Sequence, residues 1–361
     1  MFKYICPFEG FKDIQSLKGE KYSIVIDSNI CVYLESYFDQ PSSMMNRFLS
    51  NDKGKEVAYS LIEFLTEIKT NENLTVDFSA AMDETCRDSV TRSLDAKKMF
   101  SRIDKMLILL EELSLSEVIN PKGSFEKYLT KNSEAAVNYM VNDEEFKSRQ
   151  KKEDSLAFNT SYLYCLKIFE LEKSNISREE KLKTFYDYMR NNVEIFYQTH
   201  LIYSILLWGN FKTSDGKSFK RIYHGVNKKG KKSMLNAAMD LFLVNIYQQD
   251  LIKKGNKVIF ATNDQILSEI VYRYKLIKVV SFKDSDVSNE TVFSSFRIKD
   301  SDQFSNSFED ALKSIEDDTQ RRKQELILKQ IDFFSSQKDR EEIRRKVITE
   351  IEKYECVLGF T

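Results

Sequence analysis

The sequence predicts an α/β fold, a parallel sheet flanked by helices, with a large helical insertion and a helical C-terminal arm. Three observations predict it. Short apolar runs of strand length, at 22–26, 74–78 and 257–261, alternate with stretches of helical periodicity. From 93 to 208 apolar residues recur at three- and four-residue spacing almost throughout. Only 10 Gly and 3 Pro in 361 residues argue against a turn-rich all-β design.

In chain order, the segment up to Tyr22 reads as irregular. YSIVI then reads as a buried strand ending at Asp27. Val57, Leu61, Phe64, Leu65 and Ile68 form the inner face of a helix over 55–69. LTVDF is a second strand, and a helix carrying Glu84 follows it. Residues 1–92 are thus expected to be the first half of the α/β domain. The insertion spans 93–210. Within it Met99, Ile103, Met106, Leu107, Leu110 and Leu113 make one stripe, and Ser177 with Glu180 reads as a capping box. The charged stretch 142–155 reads as a surface loop. Residues 211–232 read as a basic loop with eight cations and one Asp. Residues 233–285 supply the second half, a helix, the strand KVIFA with its turn, and a strand IKVVSF. A linker and a charged helical arm are expected over 286–361, with acidic and basic clusters lying on a solvated face or a partner-binding helix.

Composition excludes several classes. No apolar run approaches the roughly 20 residues of a membrane helix, and the first residues lack an apolar signal core. Five scattered cysteines without a CxxC fit a reducing, cytoplasmic setting. Two histidines cannot build a multi-histidine metal site, and no GxSxG nucleophile elbow is present. Any chemistry therefore rests on carboxylates.

Asp27 and Asp264 each follow a strand. Ligands of parallel α/β sheets bind beyond the carboxyl ends of strands, so both acids are expected at one edge. Asp240 sits in a helix that is apolar nearly all round, MLNAAMDLFLVNI, and is expected to be buried. A divalent cation shared with Asp27 and Asp264 would compensate such a charge. Asn236 lies one helical turn earlier. Glu84 is the expected fourth acid, with Asp83 and Asp88 as alternatives. Oxygen ligands suit Mg²⁺ or Mn²⁺.

VIDSN at 25–29, an acid after the second strand, Asp240 on its helix and FATND at 260–264 together resemble a PIN domain. The resemblance covers roughly 20–90 and 231–285. It implies a metal-dependent endonuclease, with RNA favoured over DNA. It also implies Asp27, Glu84, Asp240 and Asp264 as catalytic metal ligands, supported by Asn29, Asn236 and Thr262. Lys220, Arg221, Lys228, Lys229, Lys231 and Lys232 would hold nucleic-acid phosphates, and Phe219 and Tyr223 would stack bases. A toxin or phage-defence role is one setting that suits such an enzyme. The insertion or the arm would serve a protein partner or a second copy.

Each feature also has a plainer reading. Asp27 and Asp264 suit helix caps or turns, Asp240 a structural ion pair, and the lysines a solvated loop. The alternative function is a non-catalytic nucleic-acid-binding or assembly scaffold that keeps the fold. Gly225 to Lys232 approaches a P-loop but has Lys232 where Ser or Thr is required.

Overall fold

The computed structural model describes residues 1–6, 10–87, 95–129, 144–254, 257–283, 290–298, 304–329 and 337–360. The chain is α/β. In order, its strands and helices begin with β1 (Lys3–Cys6), β2 (Gly10–Lys12), β3 (Tyr22–Ile26), α1 (Ser28–Asp39), α2 (Pro41–Leu49) and α3 (Asp52–Thr70). Next come β4 (Leu74–Asp77), α4 (Ser79–Thr85), α5 (Ala96–Leu107) and α6 (Leu115–Ile119). Then follow α7 (Glu144–Lys173), α8 (Arg178–Asp187), α9 (Gln198–Trp208), α10 (Val226–Lys229) and α11 (Lys231–Lys254). The chain closes with β5 (Val258–Thr262), α12 (Gln265–Arg273), β6 (Tyr274–Lys283), β7 (Glu290–Ile298), α13 (Asn306–Lys329) and α14 (Gln337–Leu358).

Two units divide the chain: 1–151 with 246–272, and 152–245 with 273–361. The first holds a five-stranded sheet in the order β2-β1-β5-β3-β4. The sheet is mixed, not parallel throughout. β3 runs parallel to both β4 and β5, whereas β1 is antiparallel to β5 and to β2. The N-terminal segment is therefore not irregular before Tyr22. The strand KYIC is only four residues long, too short to announce itself by alternation, and it is fixed by pairing with β5 rather than by its own pattern.

β3 and β5 are nearly continuous apolar runs because helices cover both faces: Ile24, Val25, Ile26 and Val258 to Ala261 are all buried. Residues 96–129 also belong to this unit. Met106, Ile108, Leu109, Leu110 and Leu113 join the core built by Leu34, Phe38, Phe64 and Leu65. Arg102 ties α5 to α1 through Glu35 at 2.5 Å and to the end of α4 through the Thr85 carbonyl at 2.9 Å. The helical text that begins near 93 thus starts inside the α/β unit.

The second unit is helical with one small sheet. IKVVSF falls in β6, whose only partner in the described residues is β7, an antiparallel pairing. It does not extend the five-stranded sheet. Part of the expected linker is β7 itself. The stretch expected as a loop at 142–155 is helical from Glu144 onward in α7, because its charges sit at helix-compatible spacing. The C-terminal segment is no free arm. Phe304, Phe308, Ala311, Ile315, Val347 and Tyr354 are buried. Tyr186 donates to Asp318 at 2.8 Å, Tyr188 to Glu350 at 2.9 Å and Tyr162 to Glu355 at 2.8 Å. Both helices α13 and α14 pack into the second unit through these contacts. No helix among the described residues is long and apolar enough to cross a membrane.

Candidate functional site

The site grows from the carboxyl ends of two neighbouring parallel strands. β3 ends at Ile26 and the next residue, Asp27, opens α1. β5 ends at Thr262, and the turn Asn263–Asp264 opens α12. Because β3 and β5 pair in register, with Ile26 opposite Ala261, both acids are delivered to the same edge. The Asp27 N–H donates to the Ala261 carbonyl at 3.0 Å and extends that pairing by one residue.

Asp27 is wholly buried. Its Oδ1 accepts from the Ile30 N–H at 2.8 Å, an N-cap contact for α1. Its Oδ2 accepts from the Thr262 hydroxyl and from the Asn263 N–H at 3.2 Å. Thr262 in turn accepts from the Asp264 N–H at 2.8 Å, so its hydroxyl links the two acidic positions. Burial pushes the Asp27 carboxyl up to about 6; its three donors pull the other way, and the neighbouring Asp264 charge adds to the rise.

Asp264 is half-buried. Its Oδ1 accepts from the N–H groups of Ile266 at 2.6 Å and Leu267 at 2.9 Å, capping α12. Its Oδ2 takes part in no hydrogen bond among the described residues. The plainer reading and the functional one therefore coexist: both acids cap helices, and they also face each other electrostatically across Thr262.

Of the expected supporting residues, Thr262 is in place. Asn29 is exposed on the first turn of α1. Asn236 is exposed as well, on α11 in the second unit. Glu84 is half-buried on α4. No three His, Cys, Asp or Glu side chains among the described residues gather closely enough to hold a metal ion, so Glu84 does not complete a group with Asp27 and Asp264. Helix α4 follows β4, the outermost strand, rather than the centre of the edge. The Asp83 side chain and Asp88 lie outside the described residues.

Asp240 corrects an expectation. Its helix is apolar, and Met234, Leu235, Ala238, Met239, Leu241, Leu243 and Val244 are buried, yet Asp240 is itself only half-buried. It belongs to the second unit, where its charge helps to keep the buried Cys165 thiol protonated. The side chain occupies the margin of the buried stripe, so it escapes the desolvation that a central position would impose.

The basic segment is structured rather than looped. Phe219–Tyr223 form a 3-10 turn, followed by α10 and the start of α11. Phe219 and Tyr223 are buried and cannot stack bases: the Phe219 carbonyl accepts from Tyr203 at 3.1 Å, and the Tyr223 hydroxyl donates to the Cys165 carbonyl at 3.3 Å. Lys220 pairs with Glu172, and Lys231 with Glu355 at 2.7 Å. Arg221, Lys228, Lys229 and Lys232 are exposed. The P-loop likeness ends here too. That motif needs a strand before its glycines, and a 3-10 turn stands there instead.

Sequence reasoning missed Tyr33 and Lys3. The Asn263 side-chain amide donates to the Tyr33 hydroxyl at 3.3 Å, linking the turn to α1. Lys3 stands opposite Thr262 in the β1–β5 pairing, and its ammonium donates to Gln265 and, at 3.4 Å, to Ser268 on α12. Tyr33 falls two positions past the first turn of the helix that Asp27 caps, a signal within reach of the sequence. Lys3 had none while β1 was read as irregular. No family model, no curated protein and no solved structure matches this chain.

Proposed function

We propose that the chain is a Mg²⁺- or Mn²⁺-dependent endonuclease of PIN type, acting on RNA in preference to DNA, with its chemistry at the Asp27–Asp264 edge. The observation that carries this reading is the Thr262 hydroxyl, which joins two acids at the ends of neighbouring parallel strands. Burial, with the Asp264 charge added to it, raises the cost of ionising Asp27, and a hard cation relieves it. The donors fit such a cation by type, since all are oxygens. Asp264 would hold it directly through Oδ2, and Asp27, with both oxygens engaged, would support Asp264 through Thr262. A bound cation supplies hydroxide near neutral pH and steadies the phosphate.

The residues' own work is orientation. Thr262 fixes the Asp27 carboxylate, Asn263 and Ile30 hold it from two sides, and the first turn of α12 anchors one oxygen of Asp264. In the second unit the exposed Arg221, Lys228, Lys229 and Lys232 would bind phosphates by counterion release. Incubating the full chain with mixed single-stranded RNA and DNA, with Mn²⁺ or with chelator, tests the reading. Metal-dependent internal cleavage supports it, and no cleavage of either polymer under any condition sinks it.

One observation favours the scaffold instead. Asp27 is wholly buried with both oxygens satisfied, as a structural helix cap would be. A scaffold binds nucleic acid with or without metal and never cuts it. Either reading makes the same demand on the lysines. Changing Lys228, Lys229 and Lys232 to Ala should lower the slope of log affinity against log salt by about 0.7 to 0.9 for each phosphate that is no longer neutralised. An unchanged slope would leave these residues as solvated charges only.

A further inference from the structure

We propose that the Phe11–Tyr272 ring pair is a binding site for one base of a single-stranded nucleic acid, with Lys3 beside it holding the adjoining phosphate. The proposal names a substrate site for the nuclease reading and rests on that reading for what happens after binding.

Phe11 lies on β2, the edge strand of the sheet, and is 43% exposed, unlike the large aromatics of the core. Its ring is not loose. It stacks on Tyr272 with centroids 4.6 Å apart and planes within 11°. The Lys3 ammonium lies over the Phe11 ring, 5.5 Å from its centroid, and also donates to Gln265 and Ser268 on α12. A flat, preformed aromatic surface at the solvent boundary with a cation next to it matches how single strands are bound: bases stack on π-faces while lysines follow the backbone.

Register then connects this platform to the carboxylates. Phe11 pairs with Ile5 on β1, and Lys3, two residues earlier on that strand, pairs with Thr262 on β5. Two residues of strand rise and two strand spacings separate Phe11 from Thr262, roughly 12 Å. A short extended stretch of single strand covers that span. A base on Phe11 would thus place a nearby phosphodiester at the Asp27–Asp264 edge, with Lys3 between. An edge strand can also capture a peptide strand through its backbone. β2 is only three residues long, however, and offers few ladder bonds. Such pairing needs neither the stack nor the cation.

The test uses the full chain in chelator, so that nothing is cut. A short single-stranded RNA carrying one 2-aminopurine is titrated into wild type, Phe11→Ala, Phe11→Trp and Lys3→Gln. Wild type should quench the 2-aminopurine. Phe11→Ala should bind roughly 5- to 150-fold more weakly and lose the quench, the range for removing one stacked ring. Phe11→Trp should restore both, because it keeps a π-face. Lys3→Gln should lower the salt slope by about 0.7. Melting curves show whether each variant is folded, and the Trp variant separates stacking from fold. No quench in wild type overturns the proposal and leaves β2 as an edge for a peptide. Unchanged affinity and quench in a folded Phe11→Ala also overturn it. Cleavage with Mn²⁺ is read separately. Binding and quenching without cleavage would end the nuclease reading and keep this site, while cleavage by a Phe11→Ala protein with unaltered binding would do the reverse.

Discussion

Asp27→Asn is expected to lower metal-dependent cleavage roughly 10- to 100-fold, the range for removal of a residue that supports a metal ligand. The same change should flatten the dependence of stability on pH between about 4 and 6. The folded carboxyl is raised from 3.8 to about 6. A raised acid holds its proton longer in the folded chain than in the unfolded one. Its stabilising effect is therefore complete below pH 4 and is lost as pH rises through 6, for a total of about 3 kcal/mol. Asparagine cannot titrate, so this slope should vanish. At neutral pH two effects oppose each other. The amide removes the cost of a buried charge, but its NH₂ turns toward the Asn263 N–H and costs about 1–3 kcal/mol for mismatched donors. The shape of the profile is thus the readout rather than the stability at one pH. Thermal melts of both proteins from pH 4 to pH 7, with parallel cleavage assays, decide it. A variant that cuts normally removes Asp27 from the chemistry. A variant that never differs from wild type in slope removes the buried charge itself.

That result also separates the two functions. In a scaffold Asp27 is a helix cap and nothing more, so Asp27→Asn would alter melts and leave nucleic-acid affinity untouched. In the nuclease it sits behind Asp264 and steadies it through Thr262. Loss of Asp27 should then cut turnover far more than it weakens RNA binding.

Much of the first unit was legible because its signals are local. The continuous apolar runs of β3 and β5 exist because both sheet faces are covered, and the acids follow because a strand end before a helix needs a cap. Thr262 and Asp264 were readable as a turn for the same reason. The β1–β2 hairpin was not legible, since β1, of four residues, gains its identity from pairing with β5 across more than 250 residues, and β2, of three, from pairing with β1. Division into units escaped for a related reason. Helical spacing reports that a stripe is buried, not against what. The stripe through Met106 and Leu110 reads the same whether it packs on the sheet, as it does, or within an inserted bundle. Asp240 shows the limit of composition along a helix: one residue at the edge of an apolar face stays half-exposed while its neighbours are buried. In the basic segment, Phe219 and Tyr223 looked like interleaved stacking residues, yet they are what anchors that segment to the helices beneath it.

His200→Phe should make the second unit resistant to acid. His200 is wholly buried on α9. Its Nε2 lies 2.9 Å from the Ser161 hydroxyl, and that hydroxyl donates to the Ala238 carbonyl at 2.8 Å. With its one proton so used, Ser161 accepts from the imidazole, which must carry a hydrogen on Nε2. Nδ1 is buried without a partner among the described residues, and the rings of Tyr164 and Tyr197 stand with centroids 5.6 Å away. Burial pushes this imidazole down from 6.5 to about 3. The unfolded chain therefore takes up a proton that the folded chain refuses. Stability from His200 is complete above pH 6.5 and is lost progressively as pH falls toward 3, reaching about 5 kcal/mol, a large part of what a domain has. Phenylalanine fills similar space, keeps the Ser161–Ala238 bond and gives up one hydrogen bond worth about 1 kcal/mol. The variant should start slightly less stable at pH 7 and overtake wild type as the solution is acidified. Because Asp27 drives stability the other way over pH 4 to 6, a single melting curve mixes the two. Hydrogen exchange read separately on peptides from 198–208 and from 22–26 keeps them apart. The first should open with acid in wild type and not in His200→Phe, and the second should tighten in both. Equal acid sensitivity of 198–208 in the two proteins would show that the imidazole is protonated within the fold and that burial is not holding it neutral.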